Sequence, residues 1–259
     1  MEGSLETMTE EQILEKIVEI VYECGEILCG ADRTKTQIDE KSGHANFVTI
    51  YDKKVQEKLQ KQLLMVLPEA VFIGEEEENH APVEKGYAFI VDPIDGTTNF
   101  IKDYHVSAIS VGLIKDGQPY IGVVYNPYLR ELFTAIKGKG AFLNQKNIHV
   151  STQPLENGIV LFGTAPYYKE LNRTSFDMAY AYFTKALDIR RSGSAAIDLC
   201  NIAAGRAELF FELRLSPWDY AAGALIVEEA GGVVTQTDGA NITFNEGCSI
   251  LATNAVCRN

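Results

Sequence analysis

Residues 87–95 read YAFIVDPID, an apolar run that stops on two aspartates. Five consecutive residues from Tyr87 to Val91 predict a buried strand ending at Asp92. Pro93 fixes its own φ and biases Asp92 toward an extended backbone. The two acid side chains can then face one locus while the Ile94 carbonyl remains available as another oxygen. Gly96 allows a turn, and a helix opened by GTTN would present backbone N–H groups and a favourable dipole to an anion. Asp, Pro and Gly are also ordinary turn residues, so a solvated turn explains the stretch equally well on its own. Matching acids elsewhere in the chain would decide between the two.

Composition narrows what such acids could do. The 259 residues suffice for one large core or two fused domains. A net charge of −13, from 36 acids against 23 Lys and Arg, argues against binding along a nucleic-acid backbone. Only four, widely spaced histidines occur, and the five cysteines form no CxxC pair. Hard oxygen donors and Mg2+ are therefore favoured over a thiolate or histidine zinc site. The odd cysteine count and the lack of a basic leader or long apolar run lead to the expectation of a reduced, cytoplasmic protein with no membrane association.

Thr9, with Gln12 three residues on, predicts a capped helix with Ile13, Leu14, Ile17, Val18, Val21, Cys24 and Leu28 on one face. A polar stretch around Gly43 precedes a second helix carrying Val55, Leu59 and Leu63 and ending at Pro68. VSAISVGLI and YIGVVYN flank KDGQP as a hairpin. From about residue 153 strands and helices alternate. Ser216, Pro217 and Gly231 mark the cap, first turn and exit of a late helix, and VVTQTDGANITF and SILATN are expected at sheet edges. A soft boundary near residue 152 divides the chain into an N-terminal α+β domain, 1–152, and a C-terminal α/β domain, 153–259.

VDPIDGTTNF, the upstream GEE, NFVTIYD, IRRSGSAA and WDYAAG together resemble the inositol monophosphatase family, in order and across nearly the whole chain. The resemblance implies an α+β fold, a layered α/β/α/β/α sandwich, assembled as a homodimer, with two or three Mg2+ ions per active site and lithium sensitivity. It implies hydrolysis of a small phosphate monoester, myo-inositol monophosphate, by activated water. Carried over by position, Glu76, Asp92, the Ile94 carbonyl, Asp95 and Asp219 hold metal, and Glu75 is the neighbour of Glu76. Thr97 and Asp52 join Glu76 in positioning water, and Gly96 and Thr97 meet phosphate. Asp95, Ser194, Ala195 and Glu212 lie near the substrate hydroxyls. Asn46 departs from the aspartate of many relatives.

Lys41 aligns with a mobile-loop lysine, while Arg190 and Arg191 could meet a second phosphate. Each has a plain alternative: a solvated run for Glu75 to Glu78, a helix-start acid for Asp52 and Asp219, surface charges for Lys41, Arg190 and Arg191. Two other readings stay open, a fructose-1,6-bisphosphatase or broad sugar-phosphate phosphatase, and a noncatalytic protein-binding or regulatory role.

Overall fold

The computed structural model describes residues 8–32, 38–40, 47–77 and 84–257, and in it the hydrophobic periods of the sequence become layers. Helices α1 (Glu10–Cys29) and α2 (Ile50–Val66) follow a short antiparallel pairing of β1 (Ile38–Glu40) with β2 (Phe47–Thr49) only in the case of α2. Both helices start on capping boxes, Thr9 with Gln12 and Thr49 with Asp52. Their apolar faces cover one side of a seven-stranded sheet.

That sheet contains, in spatial order, β3 (Val71–Gly74), β4 (Tyr87–Asp95), β5 (Ala108–Lys115), β6 (Gln118–Asn126), β7 (Glu131–Ile136), β8 (Ala141–Leu143) and β9 (Lys146–Ile148). Only β3 and β4 pair in parallel. The helix α3 (Thr97–Ile101) interrupts the run after β4. Asp116 and Gly117, with φ of 50° and 73°, make the expected β5–β6 hairpin connection.

Strand β4 shows how the layers are built. Phe89 and Val91 pack with α1 and α2, while Ala88 and Ile90 turn to the other face. That other face meets α5 (Ala195–Ala203) and α6 (Pro217–Glu229), which also cover a five-stranded sheet of order β11-β10-β12-β14-β13. Its strands are β10 (Ile159–Phe162), β11 (Asp188–Arg190), β12 (Leu209–Leu215), β13 (Val233–Thr235) and β14 (Cys248–Thr253). The helix α4 (Asn172–Phe183) packs through Ala179 on the far side, against Val160, Leu209 and Phe211. The result is the α/β/α/β/α sandwich that the sequence led us to expect. One expectation fails: β14 is not an edge, because it pairs with β12 on one side and β13 on the other. Its Ile250 and Ala252 are fully buried, as an interior strand requires.

Helix α6 carries Asp219 and lies very close to the first sheet. Ala221 and Ala222 face Gly112 and Gly122, and a Cβ added at Gly122 would stand 2.7 Å from the Ala222 carbonyl oxygen. Small residues on both surfaces therefore set the height of the helix above the strands. No helix among the described residues is long and apolar enough to cross a membrane. Gly122→Val should lower unfolding stability by about 1–3 kcal/mol through overpacking. A wild-type urea midpoint in that variant would show that α6 is not seated through this contact.

Candidate active site

Asp92 and Asp95 are three residues apart, so in an unbroken strand they would point to opposite faces. The β4–β5 register prevents this: Asp92 pairs with Ser110 and Asp95 with Ala108, three steps against two. Such a bulge turns both carboxylates to one side, and Pro93 sits within it, where no ladder N–H is needed. Asp219 approaches from the first turn of α6, its Oδ2 accepting the Ser216 N–H at 2.6 Å. Asp92, Asp95 and Asp219 each offer a carboxylate oxygen, and these oxygens lie within 4.8 Å of one another. The three acids come from opposite sides of the soft boundary in the sequence.

The polypeptide around them is tightly prescribed. Ile94 donates its N–H to Asp92 Oδ1 at 2.9 Å. Ser194, the N-cap of α5, donates its hydroxyl to Asp95 Oδ2, which also accepts the Ala196 N–H at 2.9 Å. Gly96 has φ +87°, and a Cβ there would come within 2.9 Å of the Val106 carbonyl oxygen, so the turn into α3 admits only glycine. Thr97 Oγ1 lies 3.2 Å from Asp52 Oδ1 and 3.1 Å from the Ile94 carbonyl oxygen. Asp52 is fully buried, its Oδ2 accepting the Thr49 N–H at 2.7 Å and the Thr49 hydroxyl at 2.5 Å. It is thus a buried partner of Thr97 and not an exposed helix-start acid.

Glu75 and Glu76 exchange places relative to the expectation. The Glu75 N–H donates to the Val91 carbonyl at 3.1 Å, extending the parallel pairing of β3 with β4 by one residue. Its carboxylate thereby lines the cavity in hydrogen-bonding contact with Asp92. The chain then turns, with Glu77 N–H donating to Gly74 and the Glu76 N–H to Gln56 Oε1. Glu76 is not on the cavity wall.

The cavity has a volume of about 480 Å³ and is walled by Glu75, Asp92, Asp95, Gly96, Thr97 and residues of the second sheet. Glu212 Oε1 accepts the Ala165 N–H at 2.7 Å, and Arg191, whose Nε donates to Thr164 Oγ1 at 3.3 Å, lies close enough to influence it. Ser194 and Ala195 are on the wall as expected, although the Ser194 hydroxyl is spent on Asp95. Arg190 is not on the wall; it ion-pairs with Asp188 at 2.5 Å. Lys41 and Asn46 lie outside the described residues.

Asp198, Tyr167, Tyr168 and Arg214 are among the wall residues that the sequence does not single out. Asp198 is buried on α5 with Oδ1 unpartnered, and an acid one turn after Ser194 in an apolar helix was the available signal. Tyr167 and Arg214 left no such pattern.

Electrostatics decides what this wall can hold. Six carboxylates line it, from Glu75, Asp92, Asp95, Asp198, Glu212 and Asp219, against two guanidiniums, Arg191 and Arg214. Burial, then repulsion from Glu75, Asp95 and Asp219, raises Asp92 well above the usual carboxylate range. Asp219 is raised in the same way, by burial and then by Asp95 and Glu75. Burial also lifts Asp95, but its bonds from Ser194 and Ala196 oppose the rise and hold it at about 6. Glu212 is pushed by burial to about 7, against the pull of the Ala165 N–H and Arg191. A convergent set of hard oxygens with uncompensated negative charge fits a divalent cation such as Mg2+.

Comparison with known proteins agrees with this reading of the wall. The model of the inositol monophosphatase family matches residues 9–258. Nus factor SuhB of Salmonella typhimurium is 39% identical over 200 residues, spanning 77% of this chain and 75% of that protein. Inositol monophosphatase 2 of Solanum lycopersicum is 38% identical over 253 residues, spanning 95% of this chain and 94% of its own. A crystal structure called IMPase/NADP phosphatase complexed with Mg2+ and phosphate matches with a TM-score of 0.86 at 26% identity, covering 95% of this chain and 92% of that one. With the layered fold, the acid cluster and a match over almost its whole length, this chain belongs to the inositol monophosphatase family.

Proposed function

We propose that the protein hydrolyses myo-inositol monophosphate to myo-inositol and inorganic phosphate, using Mg2+. The observation that carries this reading is the convergence of Asp92, Asp95 and Asp219 within 4.8 Å on the wall of a cavity that is also lined by Thr97, whose hydroxyl reaches back to buried Asp52. The tomato relative's name, inositol monophosphatase 2, supports the substrate. The neighbouring structure complexed with Mg2+ and phosphate supports the metal.

In this reading Glu75, Asp92, Asp95, Asp219 and the Ile94 carbonyl hold two or three Mg2+ ions. Bound there, Mg2+ supplies positive charge beside the phosphate oxygens and makes a coordinated water more acidic. The remaining work falls to the chain. Glu75 takes over the water-holding role that the sequence assigned to Glu76. Thr97 gives its hydroxyl hydrogen to buried Asp52, leaving its oxygen able to accept a hydrogen bond from the attacking water. The backbone N–H groups of Gly96 and Thr97, at the start of α3, meet the phosphate. Glu212, Asp95, Ser194 and Ala195 orient the ring hydroxyls. Water oxygen bonds to phosphorus, the ester P–O bond breaks, and the alcohol departs with a proton; no serine or cysteine nucleophile is required.

The reading extends to organisation. Residues 1–152 and 153–259 are two closely fused domains, supported by each sheet being built from one side of that boundary. The protein is a homodimer, supported by an apolar stripe of Phe176, Tyr180 and Phe183 on α4 with Leu187 just beyond, all exposed. Light scattering should give twice the 28.6 kDa chain mass, and Tyr180→Asp should shift it toward one chain. A wild-type mass of a single chain contradicts this assembly.

The Nus factor name of the Salmonella relative favours a second reading, a noncatalytic protein-binding or regulatory role. Phosphate release separates the two. Purified protein should release phosphate from myo-inositol 1-phosphate with Mg2+, stop in EDTA, and slow as lithium is titrated in. Glu75→Gln should reduce kcat on the order of 10^2-fold, and Glu76→Gln should have a far smaller effect. Turnover after verified metal removal would refute the mechanism. A larger loss from Glu76→Gln than from Glu75→Gln would return the water-holding role to Glu76.

A further inference from the structure

The chain leaving β10 is drawn across Glu212. The Gly163 N–H donates to the Phe211 carbonyl at 2.9 Å, and a Cβ at Gly163 would stand 1.8 Å from Glu212 Oε2. Two residues on, Ala165 gives its N–H to Glu212 Oε1 at 2.7 Å and adopts φ +42°, a left-handed backbone that an alanine before a proline rarely takes. The Tyr168 N–H then returns to the Ala165 carbonyl at 2.8 Å. That bond closes a four-residue turn with Pro166 and Tyr167 at its centre. Beyond the turn, the Tyr168 ring rests against Arg214, whose guanidinium carbon is 5.9 Å from the ring centre. Tyr167 is thus fixed on the cavity wall from both sides.

Tyr167 is 52% exposed and yet lines the cavity, so it stands at the mouth. Its hydroxyl lies toward the acid cluster: burial, then the charges of Glu75, Asp219, Asp92 and Asp95, push the phenol well up. These are the four acids that the reading above gives to the metal. Among the described residues, no hydrogen bond joins the Tyr167 hydroxyl to another protein group. A phenol that keeps its proton is a neutral donor. With the four carboxylates turned to Mg2+, the acceptor that enters beside them is the phosphoryl group of the substrate.

We propose that Tyr167 is a catalytic residue whose hydroxyl donates a hydrogen bond to a non-bridging oxygen of the phosphoryl group being transferred. The inference rests on the phosphatase reading above and adds to it a residue that touches the reacting group. It supplies a side-chain donor beside the backbone N–H groups of Gly96 and Thr97. The proton stays on the phenol throughout: water oxygen bonds to phosphorus, the ester P–O bond breaks, and the alcohol leaves with a proton from the water. A donor aimed at a charged oxygen in a partly closed site is stronger than one in open water. Since every phosphate monoester presents the same three oxygens, Tyr167 acts on turnover of all of them and not on the choice of alcohol.

The test uses Tyr167→Phe, which removes the hydroxyl and keeps the ring. Its kcat/KM should fall on the order of tenfold, and by a similar factor for myo-inositol 1-phosphate, glycerol 2-phosphate and p-nitrophenyl phosphate. Inorganic phosphate, titrated calorimetrically into the full chain with Mg2+, should bind more weakly to the variant, again on the order of tenfold. Mg2+ affinity without phosphate, and the urea midpoint, should match wild type. Wild-type phosphate affinity in Tyr167→Phe overturns the inference, as does a loss confined to one ester, which would place the contact on the alcohol. A fall in Mg2+ affinity overturns it too, by assigning the effect to the metal site. No turnover of any ester by the wild-type protein would overturn the phosphatase reading, whereas the phosphate titration still tests the Tyr167 contact by itself.

Discussion

Mutual repulsion among buried carboxylates is the constraint on which the rest of this structure depends. Asp92, Asp95 and Asp219 bring oxygens within 4.8 Å of one another, with Glu75 against Asp92. Left to themselves such groups would separate or take up protons. The bulge in β4, the cap of α5 on Asp95 and the Ser216 N–H on Asp219 hold them together. The glycines of β5 and β6 contribute at longer range, by letting α6 lie low enough on the sheet to bring Asp219 to the other two.

The triad is not uniform, and its asymmetry has a physical source. Asp95 accepts both a hydroxyl and a backbone N–H, so its rise stops at about 6. Asp92 has the Ile94 N–H but faces Glu75 as well as the other two acids, and is raised much further. At neutral pH without a cation, Asp95 is therefore the member most ready to carry charge.

Local signals are legible in the sequence where local physics decides. Thr9 with Gln12, and Ser216 with Pro217 and Gly231, mark helix ends that the structure reproduces, because capping depends on residues within one turn. The hairpin at Asp116 and Gly117 follows from turn chemistry in the same way, whereas the strand expected to end at Asp92 runs on through its bulge to Asp95. Glu75 against Glu76 was a question of strand parity, settled only by how far β3 pairs with β4. The interior position of β14 depended on which strand lay beyond it. Arg214 and Tyr168 come together from separate segments, with no motif to announce them.

Proton release on metal binding tests the central claim most directly. Glu212 is raised from 4.5 to about 7 and Asp95 from 3.8 to about 6, so the metal-free folded chain holds more protons than the unfolded chain between those limits. Its stability should accordingly fall as pH rises from about 5 to about 7.5. Mg2+ should reverse that fall, and its binding should release protons, read as a dependence of calorimetric heat on buffer ionisation enthalpy. A metal-free stability that rises over this range, together with Mg2+ binding whose heat is the same in every buffer, would contradict the account of a carboxylate cluster held for a cation.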